Sequence, residues 1–272
     1  MTALPDSQSF LSGEHGEVGG KRGALRRAAD RALDAWLGAS GVLRSIDAAA
    51  ERTPPRDVLV ASVFRPPGEA LTAALPALES KRHRVRRALG STADLHGGKF
   101  ENLNALIGTA VDVDWLVVID DDVVLPDRFL DRMIAVCEAF DLALAQPAQS
   151  LGSHAAWRVA RRRPRSIVRE TRFVEIGPVT VFRRDAAEAL LPFPPLRYGW
   201  GLDLAWAATA LERGWRLGIA DALAVRHESA TVGSTYSAEA AIEEAREFLS
   251  TRPYVSSAAA QATLATHRRL PR

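Results

Sequence analysis

The run Trp115-Leu116-Val117-Val118-Ile119 contains no polar residue, and Asp120-Asp121-Asp122 follows it without a break. A short apolar run rich in branched side chains reads as a strand buried on both faces, the arrangement of a parallel sheet covered by helices. The chain must leave the core at Ile119, because adjacent carboxylates repel and cannot be left unpaired in an apolar interior. In open sheets of this kind, ligands bind at the carboxyl ends of the strands.

The flanking sequence repeats the alternation. Val58 to Phe64 is a second buried strand, Pro66-Pro67-Gly68 a turn, and a helix runs on to about Glu79. A strand is expected over Arg84 to Leu89, and a helix over Lys99 to Ala110 with Phe100, Leu103, Leu106 and Ile107 on one face. A helix from about Asp127 to Phe140 and a strand at Leu142 to Ala145 follow. Strand-helix alternation predicts an α/β fold: a mostly parallel, Rossmann-like sheet with helices on both faces. Gln149 to Arg172 reads as irregular and rich in arginine. Beyond it lie a strand at Val179 to Phe182, a turn at Pro192 to Pro195 and a helix at Leu202 to Arg213. Strands at Trp215 to Ile219 and Ala222 to Val225, a helix at Ala238 to Leu249 and a polar tail complete the chain.

Residues up to about Gly20 read as disordered. Lys21 to Arg52 form an amphipathic helical arm broken near Gly38 to Gly41 and ended by Thr53-Pro54-Pro55. The expected division is 1–53 for terminus and arm, 54–235 for the α/β domain, and 236–272 for the last helix and tail. The arm either packs on the domain or is a basic helix touching the inner face of a membrane, where lipid-linked acceptors reside.

With 47% hydrophobic and 25% charged residues in 272, the chain suits one large core. Its net charge of +2 gives no reason to expect nucleic acid. The lysines are Lys21, Lys81 and Lys99, the other cations being arginine, and Cys137 is the single cysteine. That excludes a disulfide framework and a cysteine metal cluster, and it suits a reducing cytoplasm. No signal core and no apolar run of about 20 residues is present, so a soluble protein is expected.

A divalent cation resolves the repulsion within Asp120-Asp121-Asp122, since Mg2+ or Mn2+ takes carboxylate oxygens and bridges to substrate phosphates. The alternative is a solvated acidic turn. Asp127, after Pro126, is the better candidate for helix capping.

Placed after an apolar strand, these aspartates resemble the DxD motif of GT-A glycosyltransferases, particularly family 2-like enzymes. Gly97-Gly98-Lys99-Phe100-Glu101-Asn102-Leu103-Asn104 is similar to the segment those enzymes place before the motif, where a basic residue and an asparagine help hold the nucleotide. The resemblance spans roughly Asp57 to His227. It implies that Lys99, Asn102, Asp120 and Asp121 bind a nucleotide-diphosphate-sugar donor, and that Asp122 with His227 holds Mn2+ or Mg2+. Tyr198-Gly199-Trp200-Gly201-Leu202-Asp203 looks like the element that supplies the acceptor-side base. The chemistry asks for a carboxylate there, to take the proton of an acceptor hydroxyl. Asp203 is then the catalytic base of an inverting transfer, with Trp200 and Gly201 on the acceptor side, although Leu202 stands where many relatives carry a second acid. A helix-starting aspartate is the structural alternative for Asp203. His96 and His154 also fall in expected loops. Gly177 to Phe182 resembles the strand that passes beneath the acceptor, which could be a glycan, a lipid-linked sugar or a small molecule.

Rival readings differ in class. Asp120-Asp121-Asp122-Val123-Val124-Leu125 also fits the nucleophile motif of haloacid dehalogenase-like phosphatases, which usually require a later lysine, and none follows Lys99. A catalytically silent GT-A binding subunit and a metal-dependent nucleotidyltransferase are further rivals.

Overall fold

The computed structural model describes residues 20–108, 112–153, 155–227 and 237–271. Helices α1 (Gly20–Ser40) and α2 (Val42–Arg52) are joined at Gly41, whose φ of 79° makes the break. Then come β1 (Asp57–Phe64), α3 (Glu69–Ala74) with a 3-10 turn at Leu75–Leu78, β2 (Arg84–Ser91), α4 (Lys99–Ile107) and β3 (Trp115–Ile119). They are followed by β4 (Val123–Val124), α5 (Phe129–Ala139), β5 (Leu142–Gln149), β6 (Val168–Thr171), β7 (Val179–Arg183) and α6 (Arg184–Leu190). The last elements are α7 (Leu202–Arg213), β8 (Arg216–His227), α8 (Ala238–Ser250), α9 (Ser257–Ala260) and β9 (Thr263–His267).

The sheet runs β2-β1-β3-β7-β5-β8-β6-β9, with β4 pairing to β8 off that path. Strands β2, β1, β3, β5, β8 and β9 point one way, and β7 and β6 point the other. The expected α/β sheet is present, mostly parallel in direction and mixed in pairing. Alternation along the strands builds a core on each face. Leu116, Val118, Leu144 and Phe182 face α4, α7 and α8 on one side. Val58, Val60, Trp115, Val117, Ile119 and Val181 face α2, α3 and α5 on the other.

The arm is tied to this body. The Asp30 carboxylate on α1 accepts the N–H groups of Leu151 (2.9 Å) and Gly152 (2.6 Å), and Arg162 reaches Asp34 at 2.7 Å. Among the described residues no helix is long and apolar enough to cross a membrane. Residues 1–19, expected to be disordered, lie outside the described residues.

Four expectations change. Strand β6 lies inside the stretch read as irregular, and the strands read at Trp215–Ile219 and Ala222–Val225 are the single strand β8. One ion pair explains both. Arg169 on β6 and Asp221 on β8 are fully buried, with the guanidinium donating to both carboxylate oxygens (2.8 and 2.9 Å). Charged residues in those positions mask the strand pattern in sequence. The polar tail becomes β9, an edge strand paired to β6, with His267 bound to Glu170 at 2.7 Å. Asp127 does not cap α5; Arg128, at φ 54°, holds the cap position with no side-chain bond.

Candidate active and metal site

Because β1, β3, β5 and β8 run in one direction, their carboxyl ends share an edge. The loop before antiparallel β7 arrives at that edge as well, and the Asp120 N–H bonds the Pro178 carbonyl there at 2.8 Å. Short β4 pairs antiparallel with the end of β8, placing His227 opposite Val123. Sequence neighbours of Val123 are thereby carried to the histidine: Asp122 Oδ1 lies 2.8 Å from His227 Nε2.

Asp120, Asp122 and His227 each offer a ligand atom, and the three atoms lie within 4.8 Å of one another. Opposite ligands of a hard cation with bonds of about 2.1 Å stand about 4.2 Å apart, so small side-chain rotations would close the group. Carboxylate oxygens suit Mg2+ and Mn2+, and an imidazole is a reasonable partner for Mn2+. The residues fit such an ion. Asp120, expected on the donor, is thus a member of the metal-capable group, and its Oδ1 also pairs with Lys99 Nζ at 2.5 Å. Burial raises the Asp120 pKa against the opposing pull of Lys99. Burial alone would lower His227, but the bond to Asp122 and the charges of Asp122, Asp120 and Glu175 turn the shift upward.

Asp121 is outside that group, and its Oδ2 accepts the Arg65 N–H at 2.6 Å and fixes the end of β1. Asn102 is spent on its own loop, its amide oxygen accepting the Gly97 N–H (3.0 Å) and its amide nitrogen donating to the Gly97 carbonyl (2.9 Å). These two bonds fix the loop that precedes Lys99. His96 is exposed on the loop after β2 and outside the metal-capable group, and His154 lies outside the described residues.

Tight glycine contacts bring α4 and α7 together. A Cβ on Gly98 would sit 2.6 Å from the Arg197 Cα, and one on Gly199, at φ 76°, would sit 1.9 Å from the Phe100 ring. Gly201, at φ 83°, caps α7. Trp200, expected beside the acceptor, is a core side chain packed with α7 and α8.

Asp203 lies in the first turn of α7, 4% exposed, with its carboxylate accepting the Leu204 N–H (2.9 Å) and the Ile176 N–H. Burial, the negative charge of Glu175 adding to it, raises its pKa to about 7. A helix-starting aspartate and a base near neutrality are both compatible with this geometry.

Sequence reading missed Glu175, Gln149 and Ser153. The signal for Glu175 was one acid within Phe173-Val174-Glu175-Ile176-Gly177-Pro178-Val179, which is otherwise apolar or small. Glu175 is 6% exposed, and burial raises its pKa to about 7. The Gln149 side chain and the Ala156 N–H bond its carboxylate. Ser153 Oγ donates to Gln149 Oε1 at 3.2 Å and accepts the His227 N–H at 2.8 Å. A chain of contacts therefore runs from His227 through Ser153 and Gln149 to Glu175, and from Ile176 to Asp203.

No protein-family model matches the sequence, and no curated protein matches it. Among solved structures the fold is similar to that of the mannosyltransferase PcManGT from Pyrobaculum calidifontis, in complex with GDP-Man and Mn2+. Identity is 17% over 69% of this chain and 65% of that one, with a TM-score of 0.42. It is also similar to TarS residues 1–349 from S. aureus in complex with UDP, at 12% identity over 64% of this chain and 59% of that one, with a TM-score of 0.41. The chain spans less than two thirds of the length of either.

Proposed function

We propose that this chain is a metal-dependent glycosyltransferase that moves a sugar from a nucleotide-diphosphate-sugar to an acceptor hydroxyl with inversion. The observation that carries this reading is that two chemically distinct groups meet at the edge where the parallel strands end, joined by the loop before β7. In one, Asp120, Asp122 and His227 gather within bonding range of a divalent ion. In the other, the buried carboxyl of Asp203 titrates near 7. Lys99 lies between them, with its Nζ on Asp120 and 3.5 Å from the Ile176 carbonyl, whose own residue donates to Asp203.

Asp120, Asp122 and His227 would hold the ion, which when bound offsets the charge building on a leaving diphosphate. Lys99 adds a fixed positive charge on the same side. Asp203 takes the acceptor proton as the acceptor oxygen bonds to the anomeric carbon, the bond from that carbon to the diphosphate breaks, and the diphosphate keeps the electron pair. Attack from the face opposite the leaving group inverts the centre. A carboxyl with a pKa near neutrality is matched to that proton transfer.

The experiment is a thermal-shift panel of UDP- and GDP-sugars with and without Mn2+, because a ligand that binds the native state raises its apparent stability. At least one nucleotide-sugar should stabilise the wild type only with Mn2+, and Asp122→Ala should lose that response. Asp203→Asn should keep the shift and lose transfer. A wild type indifferent to every donor with Mn2+ would overturn the reading.

A further inference from the structure

The loop between β6 and β7 carries a second buried carboxyl to the edge where the parallel strands end, and its surroundings are built. The Glu175 N–H donates to Gln146 Oε1, and its carbonyl accepts Thr180 Oγ1 at 3.2 Å. Gln149 and the Ala156 N–H hold its carboxylate, yet buried Oε2 has no hydrogen-bond partner among the described residues. The side chain folds back over Gly177, where a Cβ would meet the Glu175 Cδ at 3.0 Å. The next residue, Ile176, gives its N–H to Asp203. A buried acid held at both backbone groups and by a glutamine, with one oxygen unsatisfied, is an expensive arrangement for a residue that only packs.

We propose that Glu175 is a positioning residue for Asp203: its buried carboxylate, held on the loop that bonds Asp203, disfavours negative charge on Asp203 and so makes Asp203 a stronger base. The inference rests on Asp203 being the acceptor-side base. Physically, an ionised Glu175 beside Asp203 favours the protonated form of Asp203, and the converse holds, so the pair titrates as a unit. Burial pushes each group up to about 7, and the charge of Glu175 adds to the shift of Asp203. Among the described residues, charged groups on the neighbouring elements are Asp120 at the end of β3, His227 at the end of β8, Lys99 at the start of α4 and Glu244 on α8. Asp120 and His227 act on Glu175, Lys99 reaches the Ile176 carbonyl, and Glu244 is engaged with the N–H groups of Tyr198 and Gly199. The fixed hydrogen bonds give the device its direction. Gln149 and Ala156 hold Glu175 in place, so its charge acts on Asp203 from a fixed position.

The test is a carbon-13 NMR titration of the side-chain carboxyls, on chelator-treated protein labelled at aspartate and glutamate, for wild type, Glu175→Gln and Asp203→Asn. Resonances of Glu175 and Asp203 should both titrate near neutrality in the wild type. In Glu175→Gln the Asp203 midpoint should fall by about one unit or more, the range in which two sites count as coupled. In Asp203→Asn the Glu175 midpoint should fall likewise. Either variant suffices if the other fails to fold, and a folded variant whose remaining carboxyl keeps the wild-type midpoint overturns the proposal. A second readout is the pH profile of kcat/KM for donor hydrolysis with whichever UDP- or GDP-sugar the wild type turns over. Glu175→Gln should move its acid limb to lower pH. An unmoved limb overturns the proposal while leaving glycosyl transfer standing. A wild type that hydrolyses no donor counts against glycosyl transfer, and the NMR midpoints still decide the carboxyl pair.

Discussion

Asp203→Asn should lose turnover and gain stability, and the size of the gain follows from the burial of this one side chain. Burial, with the charge of Glu175 adding to it, pushes the Asp203 carboxyl up to about 7 in the fold, against an ordinary value of 3.8. The native state therefore keeps a proton that the unfolded chain has released, and stability falls as pH rises through that window, by about 1.4 kcal/mol per unit. From 3.8 to about 7 is about three units, so the charge costs the native state up to about 4 kcal/mol above pH 7. At pH 5 only about the first unit of that cost has accrued. An asparagine can still accept the Leu204 and Ile176 N–H groups through its amide oxygen, and it carries no charge beside Glu175. Between pH 5 and pH 8 the variant should therefore gain about 2–3 kcal/mol on the wild type. The assay is urea unfolding of chelator-treated proteins at the two pH values, followed by two optical probes so that two-state behaviour is checked. A stability difference identical at both pH values would refute the raised acid, and with it the poised base.

Other expectations concern the frame and the metal end. Gly199→Ala forces a Cβ into the Phe100 ring at positive φ and should cost about 2–4 kcal/mol, whereas Gly214→Ala, at φ 66° with nothing within 4 Å, should cost about 1 kcal/mol; urea midpoints would show the contrast. Asp221→Ala leaves the Arg169 guanidinium buried without its partner and should cost about 3–5 kcal/mol by the same measurement, with Arg169→Met in that background restoring part of the loss. His227 has a raised pKa and must be neutral to bind an ion. Calorimetric Mn2+ affinity should therefore weaken toward tenfold per pH unit below that pKa, and in His227→Ala the slope should flatten. Lys99→Met should weaken nucleotide-sugar binding while leaving the Mn2+ affinity of the free protein unchanged or tighter, since Lys99 competes for Asp120.

Much of the frame was legible because it rests on local patterns. Trp115 to Ile119 is the strand its apolar run announces, and the arm breaks where Gly41 allows positive φ. The hidden parts are those in which a polar residue is satisfied by a distant one. Arg169 reads as a loop residue until Asp221 is brought beside it across β8. The tail reads as polar because β9 lies at a sheet edge, where one face meets water. At the site, the aspartates after Ile119 marked two members of the metal-capable group, whereas the meeting of Asp122 with His227 depends on the register of β4 against β8. Glu175 was hidden because its importance comes from the direction of β7. An antiparallel strand delivers the loop before it to the edge where the parallel strands end. Asn102 and Trp200 matched a motif, and the bonds of Asn102 to its own loop and the place of Trp200 in the core are tertiary facts that the motif does not display.

The most direct test of the shared metal and diphosphate site is Mn2+ binding followed by electron paramagnetic resonance, with and without UDP or GDP, in wild type and in Asp122→Ala/His227→Ala. Linked binding must be reciprocal. The wild type should therefore bind Mn2+ more tightly when one of these nucleotides is present and that nucleotide more tightly when Mn2+ is present, and the double variant should lose both effects. Equal nucleotide affinity with and without Mn2+ in the wild type, or an unchanged response in the double variant, would contradict the account.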